Sequence, residues 1–116
     1  MIQKAQNKKV IVSESIFLTS LLQKGLGLMF RITPIKDKGY IFVMKKESSV
    51  PITMLNVFFP LDIIWLNKNK EIVALCDNAK PFQLNISPKV KAQYVVELPA
   101  GTIKKHSLEF FDTLLF

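Results

Sequence analysis

Three carboxylates stand where their surroundings are apolar. Asp62 lies in "ITMLNVFFPLDIIWL" (52–66), fifteen residues with no other charge. Glu97 lies in "VVELPAG" (95–101), and Asp112 in "EFFDTLLF" (109–116). A pair of neighbouring carboxylates is the machinery of glycoside-type hydrolysis, one donating a proton while the other attacks or activates water. Asp62 with Glu97 is the pair this chemistry selects, and it defines a hydrolase reading. A buried charge is costly unless it is hydrogen-bonded. Asp62 therefore has two readings: it pins the turn after Pro60 by accepting backbone N–H groups, or it faces the hydroxyls of a ligand. Asn56, among Met54, Leu55, Val57 and Phe58, poses the same choice, because a buried amide needs about three or four partners.

Arg31 is the single arginine. Its fork can hold a carboxylate or phosphate in two parallel bonds, or it can pair with Asp62 or backbone. Arg31, Asn56, Asp62 and Glu97 together make a candidate site for a sugar-like or anionic small ligand, bound without catalysis. Cys76 and His106 could form a nucleophilic dyad, but "IVALC" presents the cysteine as a small hydrophobe. One Cys and one His cannot supply four zinc ligands, so no metal or other cofactor is expected. "GLGLMF" lacks the third glycine and the βαβ context of a dinucleotide loop.

The elements that must position these residues are mostly short strands. "KVIV" (9–12), "IFLT" (16–19), "YIFVMK" (40–45), "TMLNVFF" (53–59), "DIIWLN" (62–67), "EIVALC" (71–76), "QYVVEL" (93–98) and "TLLF" (113–116) all read as β. "YIFVMK" is apolar on both faces, as for a strand covered on both sides or in a barrel wall. Alternation in "QYVVEL" puts Tyr94, Val96 and Leu98 on one face, and Val95 and Glu97 on the other. "PIKDKG" (34–39) and "NKNK" (67–70) are turns, the second a hairpin. "DNAKPFQLNISPK" (77–89) reads as a long polar loop, and residues 1–7 as loose. Ser20 and Gln23 form a capping box ahead of Leu21, Leu22 and Leu26, which predicts one short helix near 21–26. The expected fold is mainly β with that helix: a small antiparallel sheet, partly closed and barrel-like, in a single domain.

The totals agree. The chain has 116 residues, 49% of them apolar, and a mean hydropathy of +0.25. That is enough to bury a core without disulfides. Net charge is +7, and residues 1–50 carry nine basic groups against three acidic. Such a surface favours anionic partners, so a nucleic-acid or ribonucleoprotein accessory is the alternative reading. Scattered lysines with one arginine argue less for base recognition than for a solvated face. Pro51, Asn56, Pro60 and Asp62 interrupt the longest apolar run, which is too short to span a membrane. Glu14 breaks the apolar stretch that would follow a signal peptide's basic start. A cytoplasmic monomer or homodimer with an unidentified small ligand is expected.

Three blocks in order, "GLMFR" (27–31), "MLNVFFPLDIIWL" (54–66) and "ELPAGT" (97–102), resemble the family called Domain of Unknown Function 192. The resemblance covers about residues 20–116 and implies a compact β-rich fold with a short helix. It implies no activity, since fold alone does not supply one. The matching positions are Gly27, Met29, Arg31, Asn56, Pro60, Asp62, Glu97, Pro99 and Gly101. Three departures stand out. Thr53 replaces the family's usual Trp or His, Leu55 replaces a Lys or aromatic, and Phe111 stands where the family's closing Gly-Asp has glycine.

Overall fold

The structure, a computed structural model, describes residues 1–19 and 33–116. The described elements are β1 (Ile2–Lys4), β2 (Val10–Val12), β3 (Glu14–Leu18), β4 (Lys38–Ser49), β5 (Leu61–Leu66), β6 (Ile72–Ala79), β7 (Lys91–Pro99), helix α1 (Thr102–Lys105) and β8 (Leu114–Leu115). They form a three-stranded sheet, β2-β1-β8, and a five-stranded sheet, β3-β4-β7-β5-β6. All pairings are antiparallel except β3 with β4. The protein is mainly β with one short described helix, as expected. The barrel-like expectation is corrected, because both sheets are open, with edges at β3 and β6 and at β2 and β8.

The middle of the five-stranded sheet is buried on both faces, which explains strands with no polar side. All six residues of β5 are buried. Leu61, Ile63 and Trp65 join Tyr40, Phe42, Phe59 and Val95 on one face. Ile64 and Leu66 join Ile41, Val96 and Leu98 on the other, against Ile2, Ile11 and Val12 of the smaller sheet. The indole of Trp65 donates to the Val50 carbonyl at 2.8 Å, so its polar atom is satisfied inside the core. Close approach of the smaller sheet requires Gly39, where an added Cβ would lie 2.6 Å from the Ile2 Cδ1.

Other expectations change. Residues 1–7 are not loose: Ile2 is fully buried, and β1 pairs with both β2 and β8. "TMLNVFF" is not a strand. The Val57 N–H donates to the Met54 carbonyl at 3.0 Å, and Asn56 has φ 56°, so this segment turns. It buries Met54, Val57 and Phe59 over the sheet as a lid of loop. β6 extends to Ala79, three residues into the expected polar loop. "NKNK" is the expected hairpin turn: the Asn67 Oδ1 accepts the N–H groups of Asn69 and Glu71 at 2.9 and 3.0 Å. The expected helix near 21–26 lies outside the described residues. The described helix follows "ELPAG", where the sequence predicted only the end of a strand.

Candidate functional site

Asp62 projects from β5 toward α1 and the β6 bulge. It is fully buried. Its Oδ1 accepts the Asn78 N–H at 2.9 Å, and its Oδ2 accepts the Ile103 N–H at 2.8 Å. Asn78 has φ 58° where the β5–β6 register slips, so its N–H is turned out of the ladder. Ile103 lies in the first turn of α1, whose N–H groups have no intrahelical partner. Gly101, at φ 91°, makes the sharp entry to that turn, and no side chain of the entry residue caps it. The Thr102 hydroxyl donates back to the Pro99 carbonyl at 2.5 Å. Asp62 thus joins "FFPLD" to "ELPAGT". The expectation that it braces the turn after Pro60 is corrected: its partners lie in β6 and α1. It has no exposed surface, and each of its oxygens accepts one backbone N–H.

Glu97 points the other way. It pairs with Ile63 of β5 and Tyr40 of β4, and residues facing each other across a ladder share a face. Asp62 pairs with Leu98, on the opposite face. The two carboxylates are therefore separated by the sheet, and the hydrolase pair is not assembled. Glu97 is 4% exposed, and among the described residues no buried side-chain nitrogen or oxygen is left without a hydrogen-bond partner. Burial pushes it up to about 7. At that value the group is divided between acid and carboxylate at neutral pH, so it can donate or accept.

One pleat along the same face is Pro99, about 7 Å further by the rise of a strand. Pro99 and Ala100 line a cavity of about 250 Å³ with residues 34–36 and Phe59 and Pro60. Ile35 and Phe59 also belong to the core on the Glu97 face. Apart from Lys36, the walls are apolar.

The remaining candidates separate. Asn56 is explained by its left-handed conformation, which asparagine tolerates better than most residues. Pro60 is exposed ahead of β5. Phe59 is core, whereas Phe58 is 49% exposed and packs edge-on against Phe82. Arg31, Gly27 and Met29 lie outside the described residues. Asp112 is a structural carboxylate: it accepts the Glu109 N–H at 3.0 Å and lies 3.6 Å from the Lys4 ammonium. The Cys76 thiol is pushed up by burial, then by Asp62 and Asp77, which disfavours the nucleophilic thiolate. Among the described residues no three His, Cys, Asp or Glu side chains gather as metal ligands, and no helix is long and apolar enough to cross a membrane.

A second concavity was not anticipated as a pocket. Lys4, Asn7, Lys9, Lys105, His106 and Ser107 enclose about 420 Å³ between the β1–β2 loop and the end of α1. The sequence signal for it is the cluster of Lys4, Lys8 and Lys9.

Known proteins resemble this chain in sequence or in fold. The DUF192 family model, described as "Uncharacterized ACR", matches residues 3–116. A UPF0127 protein of Pyrococcus furiosus is 37% identical over 109 residues, covering 91% of this chain and 89% of the relative. A UPF0127 protein of Pyrococcus horikoshii is 29% identical over 98 residues, covering 82% and 80%. A crystal structure of a Sinorhizobium meliloti 1021 protein, whose description as a transcription regulator is itself provisional, has a TM-score of 0.82 at 28% identity and covers 87% of this chain and 79% of that one. A protein of unknown function from Novosphingobium aromaticivorans DSM 12444 has a TM-score of 0.81 at 22% identity, covering 88% and 74%, a likeness of fold alone.

Proposed function

The chain belongs to the DUF192 family of uncharacterised proteins, and from that premise we propose that it is a small-ligand-binding β module without catalysis. The observation that carries this reading is the Glu97 carboxyl, buried and pushed up to about 7, one pleat from an apolar cavity. A buried carboxyl raised toward neutrality beside a cavity marks a candidate binding site. The ligand is uncharged and small, with one hydroxyl or amide to meet Glu97 and an apolar body against Ile35, Phe59 and Pro99. Catalysis is left out of the reading because Asp62 and Glu97 are divided by the sheet and the Cys76 thiol is held protonated.

The experiment is a thermal-shift screen with uncharged alcohols, amides and simple sugars at millimolar concentration, on wild type and on Glu97→Leu. A ligand at a hundred times its dissociation constant adds about 2.7 kcal/mol, a readily measured shift. The reading expects at least one compound that stabilises wild type and not Glu97→Leu. It fails if no compound stabilises wild type, or if those that do stabilise Glu97→Leu equally.

A further inference from the structure

The second concavity lies on the opposite side of the fold's chemistry from Glu97. Its wall is built by β1, the β1–β2 loop and the residues that close α1. Lys4 holds the two sides together: its ammonium donates to the carbonyls of His106 and Ser107 at 3.2 and 3.5 Å and lies 3.6 Å from Asp112. Those two carbonyls would repel an anion, and Lys4 covers both. Lys4 is thereby committed, with a side chain 11% exposed.

Lys9 and Lys105 are not committed. Both are exposed, and neither forms an ion pair with a described residue. No carboxylate lines this cavity. Asn7 turns its side-chain oxygen to the Lys9 N–H at 3.0 Å, which leaves the amide NH₂ as the donor facing outward from that bond. His106 lines the same cleft as the two lysines. Its imidazole is made less basic first by burial, then by the charges of Lys105, Lys4 and Lys9, so three cations converge on one ring. A neighbouring cavity of about 370 Å³ shares Lys105 and His106 as a common wall and has Asp37 on its far side. Asp37 is occupied with Ser13, whose N–H and hydroxyl both donate to it.

We propose that this cleft binds a small phosphate-bearing anion, with Lys9 and Lys105 as the charge partners and the His106 imidazole as a hydrogen-bond donor. The volume falls in the range of about 300–1,000 Å³ typical of small-molecule sites. Compact ammonium groups are standard point-charge partners for phosphate. A single-stranded nucleic acid would need aromatic side chains to stack on, and none lines the cleft. This site is separate from the Glu97 cavity, and neither proposal depends on the other.

The test is titration of the full chain with inorganic pyrophosphate at about 150 mM salt, followed by ¹H–¹⁵N spectra of the His106 ring and the backbone of residues 4–9 and 104–107. Parallel samples carry Lys9→Ala, Lys105→Ala, and the control pair Lys45→Ala with Lys46→Ala on β4. All four lysines are exposed, so the variants keep the wild-type melting temperature. The proposal expects saturable shifts centred on His106, with a rise in the pH at which the ring titrates as the anion binds. Lys9→Ala and Lys105→Ala should each weaken binding about tenfold, the worth of one charge-assisted hydrogen bond. The control pair should leave it unchanged. Absence of saturation, or equal loss in the control pair, overturns it as diffuse attraction to a basic surface. Binding of a short RNA but not of pyrophosphate, falling steeply with salt, also overturns it and assigns the lysines to a polyanion.

Discussion

The Asp62 carboxylate accepts the Ile103 N–H at 2.8 Å, across 41 residues of chain, and so fastens the centre of the larger sheet to the first turn of α1. Its other oxygen holds the Asn78 N–H at the β6 bulge. A helix of four residues has little stability of its own. Its placement depends on that tertiary bond and on the Gly101 turn.

Asp62→Asn keeps one acceptor and loses the other, leaving an amide NH₂ against a backbone donor. The expected loss is about 1–3 kcal/mol of stability by urea unfolding. Asp62→Ala orphans both N–H groups and costs more. Hydrogen exchange should report early opening at Asn78 and Ile103. An unchanged midpoint in both variants would contradict the structural role.

Phe111 has φ 68° and is 73% exposed. It occupies the position where the family's closing motif has glycine. A side chain in left-handed backbone costs about 1–2 kcal/mol, and an exposed ring recovers little of that through packing. Phe111→Gly is therefore expected to raise stability by about 1 kcal/mol, less whatever the glycine adds to unfolded-state entropy. A lower melting temperature would mean that the ring makes contacts worth more than the strain.

Glu97 gives stability a defined pH dependence. Its folded value is raised from 4.5 to about 7. Between those values the folded chain holds a proton that the unfolded chain has released. Stability from this group is fully present below about pH 4.5, falls as pH rises through 7, and is level above that. The total decline is about 3 kcal/mol. Glu97→Gln removes the titrating group, so the difference between variant and wild type should grow in the variant's favour from pH 5 to pH 8. Parallel curves would show that the carboxyl is solvated.

Much of this was legible in the sequence. The apolar "YIFVMK" signalled a strand covered on both faces, "DIIWLN" read as a strand, and "QYVVEL" placed Glu97 with Val95, opposite Val96 and Leu98, as the ladder and the clusters show. Other features were hidden for physical reasons. Residues 53–59 have the composition of a strand because Met54, Val57 and Phe59 are core, while Asn56 bends the backbone out of β geometry. β1 is three residues long, too short to show a period. The partners of Asp62 lie 16 and 41 residues away, and no local pattern announces them. The cleft around His106 joins both ends of the chain, so its residues are neighbours only once β1 and β8 have paired.

The most direct test of the account is a ¹³C titration of the Glu97 side-chain carboxyl in the free protein. The buried carboxyl should titrate near pH 7, and a ligand that bonds to it should move that midpoint. A midpoint in the ordinary range for glutamate, about 4.3, would mean that the carboxyl is solvated, and the ligand site proposed beside it would fall.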